Sequence, residues 1–154
     1  MESASINRRR PAGDKQMLPA VDEWTGRVTV DSTWGTVQPM TLHPAIPTLG
    51  ELEVISHIES GGRLVDTRRE EFVRESGTIR GAVAIEWEQI VERMDELAGD
   101  DLLVLFCNGP QCAATPRAVA ALIAAGFPPE RLAFYRGGVH DWVTLGYPLV
   151  RLTG

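Results

Sequence analysis

Cysteine is almost absent from this chain, with two in 154 residues. That excludes the disulfide framework on which small secreted domains depend. Aromatic residues are few, at 6%, and positive charge is outweighed, 15 Lys and Arg standing against 21 Asp and Glu for a net charge of -6. An acidic chain short of aromatics is poor material for gripping nucleic acid, so no such partner is expected. No apolar run approaches the ~20 residues of a membrane span, and the first ten residues are polar. Neither an anchor nor a secretory signal is predicted, and the expected compartment is the cytoplasm. The three histidines, His43, His57 and His140, are scattered, which with two cysteines in one loop predicts no metal site. What remains is a 44% apolar chain of a length that fits one domain with a core of its own.

Residues 1–26, with Arg8-Arg9-Arg10, Pro11 and Gly13, show no hydrophobic period and are read as a mobile tail. Residues 27–45 form an arm, partly ordered, in which Arg27-Val28-Thr29-Val30 alternates like a strand. From residue 46 the signals sharpen. Thr48 and Glu51 suggest a capping box, with Leu49, Leu52, Ile55 and Ile58 on one helical face up to Gly61-Gly62. Leu64-Val65 and Ala82 to Ile85 read as buried strands, and Trp87, Ile90, Val91, Met94 and Leu97 trace an amphipathic helix. Leu102 to Phe106 is a continuous apolar run, the mark of a central strand covered on both faces. Thr115 as N-cap with Pro116 at the first helical position opens an alanine-rich helix closed by Gly126 and Pro128. Leu132 to Tyr135 is the last strand, followed by Gly137-Gly138, a short helix and a C-terminal tail, 151–154. Such alternation predicts an α/β fold with a parallel sheet, helices on both faces, and a ligand rim at the strand carboxyl ends.

Both cysteines lie in one loop, Cys107-Asn108-Gly109-Pro110-Gln111-Cys112, between the central strand and the alanine-rich helix. Loop N–H groups and the positive end of a helix dipole favour an anion there, so Cys107 is expected as a thiolate nucleophile. A thiolate can take the outer sulfur of a donor as a persulfide and pass it on, and loop amides are the natural stabilisers of that anion. Of the loop donors from Asn108 through Ala113, Pro110 has no N–H, which makes Gly109, Gln111, Cys112 and Ala113 the better candidates. The strand-end residues Asp66, Arg68 and Arg136, with Gly137-Gly138, should gather on the same rim. A structural reading is favoured for Asp66 and Arg68, which tie loops together, for His140 beside Asp141 on a surface helix, and for Trp87 and Trp142 in packing.

Taken together, Leu64-Val65-Asp66-Thr67-Arg68, Gly77-Thr78-Ile79-Arg80-Gly81-Ala82, the Cys107 loop, and Arg136-Gly137-Gly138 with Trp142 and Gly146-Tyr147-Pro148 resemble a single-domain rhodanese, a rhodanese-like sulfurtransferase, over residues 46–150. The resemblance implies a three-layer α/β/α fold around a five-stranded parallel sheet, with the N-terminal residues as an extension. It also implies a persulfide on Cys107 and no cofactor. The partners it implies are a small sulfur donor, thiosulfate or a persulfide, and an acceptor thiol, which includes protein thiols, or cyanide.

This chain departs from the family pattern in its loop, which lacks the usual early Arg or Lys and runs about two residues longer. Charge-assisted contacts are worth about twice neutral ones, so thiosulfate loses a partner unless Arg68, Arg117 or Arg136 reaches in. The position six after Cys107 is Ala113 rather than the Arg an oxyanion-holding phosphatase loop needs, so phosphatase activity is rejected. Cys112 has two readings: a resolving or protecting thiol for Cys107, or a small buried hydrophobe. The rival functions are a non-catalytic scaffold that binds a partner protein, and dithiol redox chemistry by Cys107 and Cys112.

Overall fold

A computed structural model of the protein describes residues 38–152, together with 6–7, 20–21, 23–25 and 28–31. Three short strands, β1 (Ile6–Asn7), β2 (Ala20–Val21) and β3 (Val28–Asp31), form a small sheet in the order β1-β3-β2, with β1 parallel and β2 antiparallel to β3. Much of the tail expected over 1–26, and part of the arm over 27–45, lies outside the described residues.

The main sheet contains β4 (Arg63–Asp66), β5 (Ala82–Ala84), β6 (Leu103–Phe106) and β7 (Leu132–Phe134) in the order β5-β4-β6-β7, every pair parallel. Successive residues of a strand point to opposite faces, and the apolar residues divide accordingly. Val65, Leu103, Leu105, Leu132 and Phe134 belong to one core with Ala118, Val119 and Leu122 of helix α3 (Ala114–Ala124). Leu64, Val104, Phe106 and Ala133 belong to the other, with Val54 of α1 (Glu51–Glu59) and Val139 and Trp142 of α4 (Gly138–Thr144). Three layers follow from that division, with α3 on one face and α1 and α4 on the other. At ~1.5–3 kcal/mol for each large apolar side chain removed from water, these two cores fix the register of the central strands.

Among the described residues, four strands stand in this sheet where five are expected. The outer place beside β7 is taken by a single parallel bridge, Thr48 to Phe134, in which Phe134 N–H donates to Pro47 O at 2.9 Å and Leu49 N–H to Phe134 O at 2.8 Å. Pro47 has no N–H to give, so a longer ladder cannot form through it.

Other local differences have equally plain causes. The side chain that caps α1 is Glu53, whose carboxylate accepts the Gly50 N–H at 2.9 Å; the Thr48 hydroxyl donates instead to Met40 O. Leu52 is 77% exposed, and Val54, Ile55 and Ile58 face the core in its stead. The helix expected through Trp87 to Leu97 is two 3-10 turns, Trp87–Gln89 and Met94–Leu97, closed by three-residue bonds such as Glu96 N–H to Arg93 O at 3.0 Å. A short polar helix, α2 (Glu70–Ser76), has a single buried residue, Val73, and so offers almost no apolar period to read. Thr115 does not cap α3. The cap position is Ala113, and Thr115 sits fully buried inside the first turn.

Candidate functional site

Parallel strands bring their carboxyl ends to one edge, and β6, one of the two strands with a partner on each side, ends there at Phe106. Thr67, just past β4, locks the two central exits together: its N–H and hydroxyl both donate to Phe106 O, at 2.9 and 3.1 Å. The Thr67 and Thr115 hydroxyls lie 2.8 Å apart, which pins the first turn of α3 over the same edge. Cys107 therefore leaves the sheet directly beneath a helix start.

Both cysteines carry free thiols. Cys107 is 2% exposed, and Cys112 is only partly covered. The Cys107 Sγ lies 3.6 Å from the Cys112 carbonyl oxygen and also hydrogen-bonds the Cys112 sulfur, so its one S–H has two acceptors within reach. Burial pushes the Cys107 thiol well up, and its bond to Cys112 adds to that; the N–H and hydroxyl of Thr115 pull weakly the other way. The hydrogen bond from Cys107 draws Cys112 down to about 7, helped by the N–H groups of Ala114 and Asn108, while desolvation and the Asp66 carboxylate oppose it. Within the pair, burial and the Cys112 sulfur act against a thiolate at Cys107, while the Cys107 S–H favours one at Cys112. Two anions within hydrogen-bonding distance are unfavourable, so ionisation of one sulfur disfavours that of the other.

The amides that hydrogen-bond sulfur are those of Asn108, Ala114 and Thr115. Asn108 belongs to the expected run but not to its preferred members, and Ala114 and Thr115 lie beyond it. Cys112 N–H is spent on Gly109 O at 3.0 Å, closing the loop into a turn. Gly109 and Gly138 let that turn sit on α4: a Cβ at Gly109 would come within 2.8 Å of the His140 Cβ, and one at Gly138 would strike Cys107 O and approach Gly109 N to 2.9 Å. Val139 N–H donates to Cys107 O at 3.0 Å and His140 N–H to Asn108 O at 2.7 Å. The close approach expected of Gly137-Gly138 is realised at Gly138, whose φ of 60° belongs to the left-handed region.

The arginines are brought to the rim but are engaged elsewhere. Arg68 is 3% exposed and holds Asp66 with Nε at 3.0 Å and Nη2 at 2.7 Å, Nη2 also donating to Gly77 O at 2.7 Å. The Thr78 hydroxyl gives Asp66 a further bond at 2.7 Å. Arg68 is thus spent on neutralising a carboxylate sealed from water. Arg117 lies over the Trp87 ring, 5.3 Å from its centroid. Arg136 donates twice to Gln38 O, at 3.1 and 2.7 Å, while Gln38 N–H donates to Pro110 O at 2.7 Å. The arm thus bridges Arg136 and the cysteine loop, a contact without a motif to announce it. Thr115 and Asp66 also act on the thiols. For Thr115 the available signal was its place eight residues past Cys107 at a helix start.

His140 Nδ1 lies 3.2 Å from the Asp141 carboxylate, and Trp142 donates to Pro148 O at 3.1 Å while packing edge-on to Tyr135. Among the described residues no three His, Cys, Asp or Glu side chains gather to hold a metal, and no helix is long and apolar enough to cross a membrane.

Comparison with known proteins meets this geometry from outside. A family model described as rhodanese-like domain matches residues 52–145. The chain is 34% identical over 99 residues to the HTH-type transcriptional regulator Rv0324 of Mycobacterium tuberculosis, a match covering 63% of this chain and 42% of that protein. The chain therefore matches less than half the length of this curated relative. Among solved structures, the BH2092 protein of Bacillus halodurans superposes with a TM-score of 0.60 at 22% identity, covering 68% of this chain and 77% of that one. A thiosulfate sulfurtransferase of Pseudomonas aeruginosa superposes with a TM-score of 0.56 at 24% identity, covering 69% of this chain and 20% of that one. These structural likenesses are likenesses of fold.

Proposed function

The chain belongs to the rhodanese-like domain family, and from that membership we propose that it is a sulfurtransferase, carrying sulfane sulfur as a persulfide in the Cys107–Cys112 loop from a sulfur donor to a thiol or cyanide acceptor. The observation that carries this reading is the pair of free thiols at the end of the central strand, with the N–H groups of Asn108, Ala114 and Thr115 turned on their sulfurs. A thiolate attacks the outer sulfur of the donor, the donor leaves as a thiol or as sulfite, and the persulfide anion rests on the amides. Attack by the acceptor on the terminal sulfur returns the thiolate.

The surroundings favour a persulfide donor over thiosulfate. The three arginines that would have met a dianion are committed to Asp66, Trp87 and Gln38, and the carboxylate of Asp66 acts on Cys112 against negative charge. Charge-assisted bonds, the stronger kind, are thus withheld from the donor.

The test is transfer of isotopically labelled outer sulfur from glutathione persulfide, and separately from thiosulfate, to cyanide. Thiocyanate is measured against a protein-free blank, and acid-quenched protein is weighed by mass spectrometry at early times. Labelled thiocyanate above the blank and a transient one-sulfur adduct are expected, with glutathione persulfide the better donor. No transfer above the blank and no sulfur on the protein from either donor would refute the reading.

A further inference from the structure

The three rim arginines are held in different ways. Arg68 faces the Asp66 carboxylate at 2.7 Å and is sealed with it, and Arg117 lies on the Trp87 ring. Arg136 is the one held by the arm: its Nε and Nη2 both donate to the single carbonyl oxygen of Gln38, at 3.1 and 2.7 Å. That partner is neutral, so it does not cancel the charge of Arg136. The remaining nitrogen, Nη1, meets no acceptor among the described residues.

Backbone bonds place Arg136 abreast of the cysteine loop. Tyr135 N–H donates to Leu105 O at 3.0 Å and Val139 N–H to Cys107 O at 3.0 Å, so the segment between them runs beside the end of β6. Gln38 closes the bridge from the other side, its own N–H donating to Pro110 O at 2.7 Å. One arm residue therefore meets the loop with its N–H and the guanidinium with its C=O. The next part of the arm is anchored in the domain: Ile46 is 2% exposed in the core that α3 covers, Leu42 packs against that core, and the Thr48 hydroxyl donates to Met40 O. Pro39 disfavours helical conformations at the residue before it, which keeps Gln38 extended across the rim.

We infer that Gln38 determines which sulfur donors the site accepts: its carbonyl occupies the guanidinium of Arg136 and so withholds from thiosulfate, and from other sulfonate-ended donors, the charge that would bind them. The inference rests on the sulfur-transfer reading and adds to it the residue that sets the class of donor.

Two ligands compete for one guanidinium. A sulfonate offers the planar fork two anionic oxygens, where Gln38 offers one neutral oxygen. The Gln38 carbonyl is tethered to an anchored segment, however, so it meets Arg136 at a high effective concentration, and a dissolved donor must displace it. A persulfide donor, whose outer sulfur is received by the loop amides, makes no such demand on Arg136. Arg68 cannot serve in its place, because drawing it away would leave the Asp66 carboxylate buried and unmatched.

The test perturbs the bridge and reads the donor preference. Gln38→Pro replaces the N–H that reaches Pro110 O with a ring, which forces the arm off the loop, and Pro39→Gly keeps every bond possible but frees the arm to move. Both are compared with wild type, with Arg136→Met, and with Gln38→Pro combined with either Arg136→Met or Arg117→Met, each shown to be folded by near-UV circular dichroism. For each, kcat/KM is measured with thiosulfate and with glutathione persulfide, cyanide being the acceptor. The ratio of thiosulfate to glutathione persulfide should rise about tenfold or more in Gln38→Pro, the worth of one hydrogen bond to a charged group, chiefly through a lower KM for thiosulfate. In Pro39→Gly it should rise by a smaller factor. The rise should vanish when Arg136→Met is added and remain when Arg117→Met is added. Should Gln38→Pro not fold, Pro39→Gly and its combination with Arg136→Met decide by the same criteria. A ratio that stays at the wild-type value or falls in both arm variants, or a rise that survives Arg136→Met, overturns the role of Gln38 while leaving sulfur transfer standing. Transfer from neither donor by the wild type overturns both.

Discussion

Gly138 is the position where one methyl group tests how the site is built. Its φ is 60°, and an added Cβ would strike Cys107 O and come to 2.9 Å from Gly109 N and 3.0 Å from Asn108 C. All three are backbone atoms, so no side chain can swing aside. A left-handed conformation costs a side-chain-bearing residue ~1–2 kcal/mol, and an added methyl forced into a packed contact costs ~1–3 kcal/mol. The loss of unfolded-chain freedom on Gly→Ala returns less than ~1 kcal/mol. Gly138→Ala should therefore destabilise the fold by about 3 kcal/mol, a fall of roughly 6–12 °C in Tm for a chain of this size. The overlap is relieved by moving α4 away from the loop, which breaks the bonds from Val139 N–H to Cys107 O and His140 N–H to Asn108 O. The loop then loosens around both sulfurs, and the difference in alkylation rate between Cys112 and Cys107 should shrink. Urea denaturation and differential alkylation of the same sample check both parts. A variant with wild-type stability and an unchanged ratio of alkylation rates would refute the claim that α4 braces the cysteine loop.

Alkylation of Cys112 should rise with pH and level off above about 7, since only the thiolate reacts; a rate still climbing about two pH units higher would contradict the hydrogen bond from Cys107 as its cause. Arg68→Met leaves the Asp66 carboxylate buried without its countercharge and should cost about 3–5 kcal/mol in urea denaturation, a large share of a typical domain's stability. The double variant Asp66→Asn with Arg68→Met should lose less than that single variant, and a single variant within about 1 kcal/mol of wild type would remove the pair from its structural role. Asp101, held by Arg63 at 2.7 Å and Arg131 at 3.2 Å, is lowered to about 2 from 3.8. A carboxylate lowered on folding adds stability that is complete above its unfolded value and lost as pH falls through the folded one, so Asp101→Asn should differ from wild type in Tm near neutrality and converge with it as pH falls from about 4 to about 2. A gap that stays constant across that window would mean the ion pairs contribute nothing.

The sheet and the loop were legible because their signals are local. Leu102 to Phe106 is apolar without interruption, which only a strand covered on both faces requires, and the two cysteines stand in the one Gly-Pro loop that follows it. Alternation of strand and helix then dictated parallel pairing and placed Cys107, Asp66 and Arg136 along one edge. What failed to show was set by contacts distant in sequence. Glu53 caps α1 although Thr48 is the better residue by type, because the Thr48 hydroxyl is drawn to Met40 O. Trp87 to Leu97 has a helical spacing of apolar residues, yet the chain wraps the sheet edge as 3-10 turns, a choice made by packing rather than by period. Arg136 stands in a recognisable motif, but its partner is a backbone carbonyl 98 residues away at Gln38. The contact between the two thiols was hidden for the same reason, since the sequence places both cysteines in one loop but not their burial or the hydrogen bond between them.

The charges at this edge show how two thiols can stand without a neighbouring cation. Asp66 is fully buried, and its carboxylate is matched by Arg68 and Thr78 before it reaches the loop. That pair is neutral as a unit, so the residual influence of Asp66 on Cys112 is a modest push against ionisation rather than a veto. A negative charge on either thiol disfavours a second, which would lie within hydrogen-bonding distance of the first. Three backbone N–H groups and one S–H are enough to stabilise a single charge, and they are dipoles rather than ions. A dianionic donor would bring two further negative charges to a site whose rim arginines already donate to Asp66 and Gln38 or lie on Trp87, whereas a persulfide donor brings a single charge at most. On the proposed function, discrimination between donors would follow from how Arg68, Arg117 and Arg136 are engaged at Asp66, Trp87 and Gln38.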